Sequence, residues 1–216
     1  MLSNTSDAAA VPAVPAPPMR DHLDPTQHRE WGRSRRKACP RTIQSLWEMT
    51  DARDPVEILQ RQEEHRLPFL VPVRHARMLT SPFAFYRGSA AVMSADLATT
   101  PSTGIQAQLC GDAHLSNFGL FGSPERALVF DCNDFDETHP GPWEWDVKRL
   151  AVSAVLMAAD RGWDTDAQRR LARAVGFGYR VSMVDFASKG RLAVWYSKVT
   201  DEQLLALAKD DNRAAI

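Results

Sequence analysis

Hydrophobic and polar positions change period several times along this chain, and each change marks an element. From Ile105 the period is two: Ile105, Ala107 and Leu109 alternate with Gln106, Gln108 and Cys110, as in a half-buried strand. A polar loop follows, carrying Asp112, His114 and Asn117. Phe118 to Phe121 is apolar again. Gly122-Ser123-Pro124-Glu125 has turn chemistry, and Ala127 to Phe130 is a second apolar run that delivers Asp131, Asp134 and Asp136 at its end. The pattern predicts strand, polar loop and hairpin, with two acidic clusters at strand ends.

Elsewhere the period is helical. Asp54-Pro55-Val56-Glu57 starts a helix, because Asp caps and Pro suits the first helical position. Its apolar face runs through Val56, Ile58 and Leu59 as far as Arg66, and Pro68 ends it. Leu70 to Val73 reads as an extended connector. Arg74 to Thr80 and Phe83 to Thr99 read as helices interrupted at Pro82. Val147, Leu150, Ala151, Ala154, Val155 and Ala158 share one helical face and predict a helix from Trp143 to Asp160, with both Trp143 and Trp145 in the core. Leu171, Val175, Tyr179, Met183 and Phe186 mark another from Asp164 to Ser188, stopped by Gly190. Leu192 to Tyr196 is a short apolar run, and Thr200-Asp201-Glu202-Gln203 restarts a helix carrying Leu204, Leu205 and Leu207.

Composition changes this picture little. A chain of 216 residues with 44% hydrophobic and 25% charged residues suits one soluble domain with appendages. A net charge of −1 gives no global argument for nucleic acid or membrane as partner. Cys39, Cys110 and Cys132 are sparse and form no C-x-x-C, which fits a reducing cytoplasm and gives no zinc signature. No apolar run reaches the roughly 18 residues of a membrane span, and no signal peptide is visible. Residues 1–18 are rich in Ala, Pro and Val and read as a disordered tail, and 19–53 as a basic arm with Arg29, Arg33, Arg35, Arg36, Lys37 and Arg41. That arm is either an anion-binding patch or a solvated segment beside the domain.

The candidate chemistry lies in the hairpin. Strands of four or five residues, at about 3.3 Å per residue, return the chain to its start. Asp112 and Asn117 are thereby expected to meet Asp131. Carboxylates with an amide oxygen make a hard-oxygen site suited to Mg²⁺, and the remaining carboxylate suits proton transfer from a hydroxyl. The plain alternative is that Asp112 and Asn117 only cap turns. Arg87, among aromatics, either binds a phosphate or pairs with a structural carboxylate.

Gly111-Asp112-Ala113-His114-Leu115-Ser116-Asn117 resembles the G-D-x-H-x-x-N catalytic loop of the aminoglycoside-phosphotransferase branch of the protein-kinase-like fold. Ser81-Pro82-Phe83-Ala84-Phe85-Tyr86-Arg87-Gly88, that loop, the Asn133-Asp134-Phe135-Asp136 run and Gly141-Pro142-Trp143-Glu144-Trp145-Asp146 together resemble a bacterial domain-of-unknown-function family, number 2252, over roughly residues 30 to 200. The resemblance implies an α+β, mainly helical, kinase-like catalytic segment (C-lobe-like) over 54–216, with a short β-hairpin carrying the site. It implies Asp112 as catalytic base, Asn117 and Asp131 as Mg²⁺ ligands with Asp134 as rival, His114 bracing the loop, and Asp146 hydrogen-bonding the loop backbone. The implied activity is phosphoryl transfer from ATP to an acceptor that the motifs do not name.

The sequence has no G-x-G-x-x-G loop and no strand lysine in a V-A-x-K setting. The resemblance implies a family about twice this length, so the chain is expected to be a first half without its nucleotide lobe. It is then expected to bind ATP poorly alone and to expose an apolar patch. Two further readings stand beside this one: a non-catalytic remnant or binding module, and a metallophosphoesterase. The last lacks the further His and Asp ligands that two-metal sites need.

Overall fold

Asp24 opens the first element by accepting hydrogen bonds from the Thr26 and Gln27 amides, and Pro25 takes the first helical position of α1 (Pro25–Ala38). The computed structural model describes residues 24–50 and 53–206. The expected tail lies outside the described residues, as do Arg20 and Leu207. The basic arm is largely helical, and Arg29, Arg33, Arg36 and Lys37 on it are exposed.

Asp54 caps α2 (Pro55–Glu63) as the sequence predicts. Leu70 to Val73 is not an extended connector. A 3-10 turn over Pro68–Leu70 leads directly into α3 (Val71–Met78), because Pro72 lies in the first turn, where its missing N–H is not needed. The helix expected over 83–99 is also divided, into α4 (Pro82–Arg87) and α5 (Ala90–Ala98). The break falls at Gly88, where α3 passes so close that a Cβ would stand 2.6 Å from the Met78 sulfur.

Two small antiparallel sheets follow. In one, β1 (Gln106–Leu109) pairs with β4 (His139–Pro142). In the other, β2 (Phe118–Gly122) and β3 (Leu128–Cys132) form the expected hairpin, and β5 (Val199–Thr200) adds to β3. The β4 strand was not legible in His-Pro-Gly-Pro, which reads as turn sequence. Its two prolines are tolerated because each strand of a two-stranded sheet is an edge.

The core centres on α6 (Glu144–Asp160). Ala154, Ala158 and Ser153 on it are fully buried, and these small side chains let α7 (Thr165–Phe186) approach closely. Trp143 is half-buried and stacks on Tyr179 of α7, with centroids 5.1 Å apart and planes 9° from parallel. On the other side, the Ser81 hydroxyl caps α4 and also donates to Asp160 at the end of α6, 2.5 Å away. The last elements are less covered. Phe177 and Val184 on α7, and Leu192, Trp195 and Tyr196 in and after α8 (Arg191–Trp195), are all exposed. Met183, placed by periodicity in the buried stripe, is exposed too, because α7 outruns its partner α6 by several residues.

Candidate functional site

The loop between β1 and β2 is held from outside by one stripe of α6. Asp146 Oδ2 accepts from the Cys110 amide at 2.8 Å and Oδ1 from the Gly111 amide at 3.2 Å. Arg149 Nε donates to Asp112 Oδ1 at 2.6 Å. Ser153 Oγ accepts from the Leu115 amide at 3.2 Å. Positions 146, 149 and 153 are spaced three and four apart, so they fall on one helical face. Three side chains thus fix both the backbone and the carboxylate of the loop.

Gly111 makes the loop's turn possible. Its φ is +83°, and a Cβ there would sit 1.9 Å from the carbonyl oxygen of Glu137. Only glycine fits such an approach at that backbone angle. Glu137 immediately precedes the β4 side of the sheet, and Thr138 Oγ1 donates to the Leu109 carbonyl at 2.7 Å. The loop is therefore gripped on one side by α6 and on the other by the chain leading into β4.

Asp112 itself is clamped. Both Nε and Nη2 of buried Arg149 are aimed at its Oδ1, and His114 Nε2 lies 3.5 Å from its Oδ2. Arg149 also donates from Nη2 to the Tyr86 carbonyl at 2.8 Å, and its guanidinium carbon sits 4.3 Å from the centre of the Tyr86 ring. The Tyr86 hydroxyl donates back to the Arg149 carbonyl at 2.9 Å. Burial holds the His114 imidazole below its usual range, helped by the nearby Arg149 and Arg87 charges and opposed by Asp112. The Nε2 edge of the ring faces Asp112, and Nδ1 is buried with no hydrogen-bond partner among the described residues. Burial, then Asp146 and Cys132, pushes the Cys110 thiol well above its ordinary range, so it stays protonated.

The hairpin register decides which acidic residue faces the loop. Phe118 pairs with Cys132, and one step beyond, the Asn133 amide donates to the Asn117 carbonyl at 2.9 Å. Asp131 sits inside the ladder opposite Gly119, exposed, with its own carboxylate accepting from the Cys132 amide at 2.7 Å. Asp134 lies past the ladder's end. Asp112, His114, Asn117, Asp134 and Arg87 all line one cavity of about 950 Å³, and Asp131 is not on its wall. The Asn117 side chain donates from Nδ2 to the Asp112 carbonyl at 2.9 Å, which leaves its oxygen as the group to offer a ligand. The structure brings Asp112, Asn117 and Asp134 to one space and sets Asp131 apart from it.

The described residues contain no group of three or more His, Cys, Asp or Glu side chains placed to hold a metal. Mg²⁺ needs less, since it takes one or two carboxylates and fills its shell with phosphate oxygens and water. The amide oxygen of Asn117 and the carboxylate of Asp134 fit that donor chemistry.

Arg149 and Ser153 are the site residues that periodicity missed. Their signal was present: an arginine and a serine sit on the same face as Asp146, beside an otherwise apolar stripe.

These features define a mainly helical α+β protein whose helix-braced loop and short hairpin open onto a shared polar cavity. The family described as an uncharacterized protein conserved in bacteria (DUF2252) matches residues 66–216, and the chain belongs to it. The matched region begins later than the motifs suggested and includes all four of them. No curated protein and no solved structure matches the chain. No described helix is long and apolar enough to cross a membrane.

Proposed function

We propose that the loop and hairpin form the catalytic face of a Mg²⁺-dependent, kinase-like phosphotransferase that moves the γ-phosphoryl group of ATP to a hydroxyl-bearing acceptor. The observation that carries this reading is that Asp112, Asn117 and Asp134, from two separate segments, line one cavity. Asp112 orients the acceptor hydroxyl. Its oxygen bonds to the γ-phosphorus as the bond to the β–γ bridging oxygen breaks, the proton passes to Asp112, and ADP leaves. Phosphoryl transfer through a loose transition state asks for direction more than basicity, and Arg149 and His114 supply that direction. Asn117 and Asp134 would hold Mg²⁺, whose charge offsets that developing on the phosphate oxygens when it is bound. Asp146 and Ser153 act only by fixing the loop backbone.

The sequence carries no Gly-rich loop and no strand lysine for the nucleotide. Turnover by these 216 residues alone is therefore expected to be slow.

One observation favours a second reading, a non-catalytic binding module: Arg149 already occupies Oδ1 of Asp112. The two separate on titration of MgATP together with an assay for ADP release. On the phosphotransferase reading, MgATP binds and ADP appears with a competent acceptor, and Asp134→Asn weakens binding about ten-fold while Asp131→Asn does not. Binding with no ADP release under any acceptor supports the module. Binding indifferent to Asp134→Asn overturns the ligand assignment.

A further inference from the structure

The cavity that Asp112 and Asp134 line is also lined by arginines. Arg74 and Arg77 lie on α3 at helical spacing, Arg87 ends α4, and Arg66 precedes the Pro68 turn; all four line the same cavity as Asp112 and Asp134. Their partners are few. Arg66 Nη2 stands 4.0 Å from Glu137. Arg74 donates from Nη2 to the Gly88 carbonyl at 2.5 Å but reaches no carboxylate. The side chains of Arg77 and Arg87 have neither ion pair nor hydrogen bond among the described residues.

Guanidinium groups gathered at one cavity repel one another, and Glu137, Glu63 and Asp112 only partly offset this at Arg74. Burial, and next the charge of Arg66, hold Arg74 below the usual arginine range. The Arg77 and Arg87 guanidiniums, exposed on a cavity wall and held by no carboxylate among the described residues, point to an anion supplied from outside.

The rest of the lining narrows the choice. Asp134, Asp136 and Glu137 line the cavity too, so an anion filling it meets carboxylates as well as guanidiniums. A bare polycarboxylate satisfies only the arginines. A phosphate chain carrying its own divalent cation satisfies both. Guanidinium forks also match phosphate oxygens, two at a time.

We propose that Arg74, Arg77 and Arg87, with Arg66, bind the phosphate chain of a Mg²⁺-complexed polyphosphate in the cavity that Asn117 and Asp134 also line. The chain belongs either to free inorganic polyphosphate or to a nucleoside triphosphate. The wall does the work that this sequence leaves without a Gly-rich loop or strand lysine. Which end of the ligand reacts rests on the phosphotransferase reading above; the binding does not.

The test is calorimetric titration of inorganic triphosphate with Mg²⁺, and separately of MgATP, into the full chain. Arg77→Gln and Arg87→Gln are the variants, because both side chains are exposed and neither holds the fold together. Arg169→Gln on α7, away from the cavity, is the control. Each cavity variant should weaken triphosphate binding about ten-fold, with the control unchanged. Equal affinity for triphosphate and MgATP identifies free polyphosphate chemistry. Tighter MgATP binding with the same losses identifies a nucleotide. No binding of either probe, undiminished binding by the Arg77→Gln/Arg87→Gln double variant, or citrate binding as tightly as triphosphate overturns the proposal. Triphosphate binding that needs these arginines, without phosphoryl transfer, upholds the wall and sinks the phosphotransferase reading. Transfer with a KM for MgATP untouched by both substitutions does the reverse.

Discussion

Arg149 and Asp112 form a nearly dry ion pair: Nε donates to Oδ1 at 2.6 Å, and the two side chains are 3% and 14% exposed. Removing one partner of such a pair strands the other, at a cost of about 3–5 kcal/mol. Arg149→Met should lower stability by about 3 kcal/mol, visible as a lower midpoint in urea. Pairing it with Asp112→Asn should restore a good part of that loss, since the stranded charge is gone. A double variant no more stable than Arg149→Met would show that Arg149 acts through Tyr86 and not through Asp112.

Gly111 admits no side chain. Gly111→Ala places a Cβ against the Glu137 carbonyl, at a backbone angle that L-residues avoid. The expected loss is about 3 kcal/mol or more, because backbone on both sides must move. Thermal unfolding checks it. A nearby control is Gly122→Ala, where a Cβ meets nothing within 4 Å. That substitution should cost under about 1 kcal/mol.

Asp146 answers two consecutive amides with two carboxylate oxygens. Asp146→Asn keeps one acceptor and turns the other into a donor facing an N–H. A cost of about 2 kcal/mol is expected from the lost charge-assisted bonds. Hydrogen exchange gives the sharper readout. The Cys110 and Gly111 amides should lose protection in the variant while amides inside α7 keep theirs. Unchanged exchange at both sites would remove Asp146 from the role of loop anchor.

His114 makes stability depend on pH with a definite sign. Its folded-state pKa is lowered from 6.5, chiefly by burial, so the unfolded chain binds its proton more readily. The full contribution is present above pH 6.5 and declines as pH falls below that value, levelling off under the folded pKa. The slope cannot exceed about 1.4 kcal/mol per pH unit for this one group. Urea midpoints for the wild-type chain and for His114→Gln should converge on acidification from pH 7.5 towards 5. Parallel curves would assign the pH dependence to other groups.

Much of the site was legible because it is written locally. The turn residues at 122–125 and the alternation around them place the hairpin, and Asp54 caps its helix as expected. What the sequence left open was register. Asp131 and Asp134 are three residues apart, and only the pairing of Phe118 with Cys132 sets which one lies beyond the ladder. The β4 strand was hidden because its prolines mimic a turn. The division between α4 and α5 was hidden because the space at Gly88 is limited by Met78, ten residues earlier in the chain but on another helix. Arg149 escaped notice because periodicity reads apolar stripes, while this arginine is buried through its partners.

The bonds from α6 to the loop join amides at Cys110, Gly111 and Leu115 to acceptors 36, 35 and 38 residues further along. During synthesis, a ribosome releases the loop well before it releases the helix that shapes it. A nascent chain ending ahead of Glu144 can close its hairpin yet has nothing to set the direction of the Asp112 carboxylate. The final shape of the loop therefore arrives late, with the emergence of one helix.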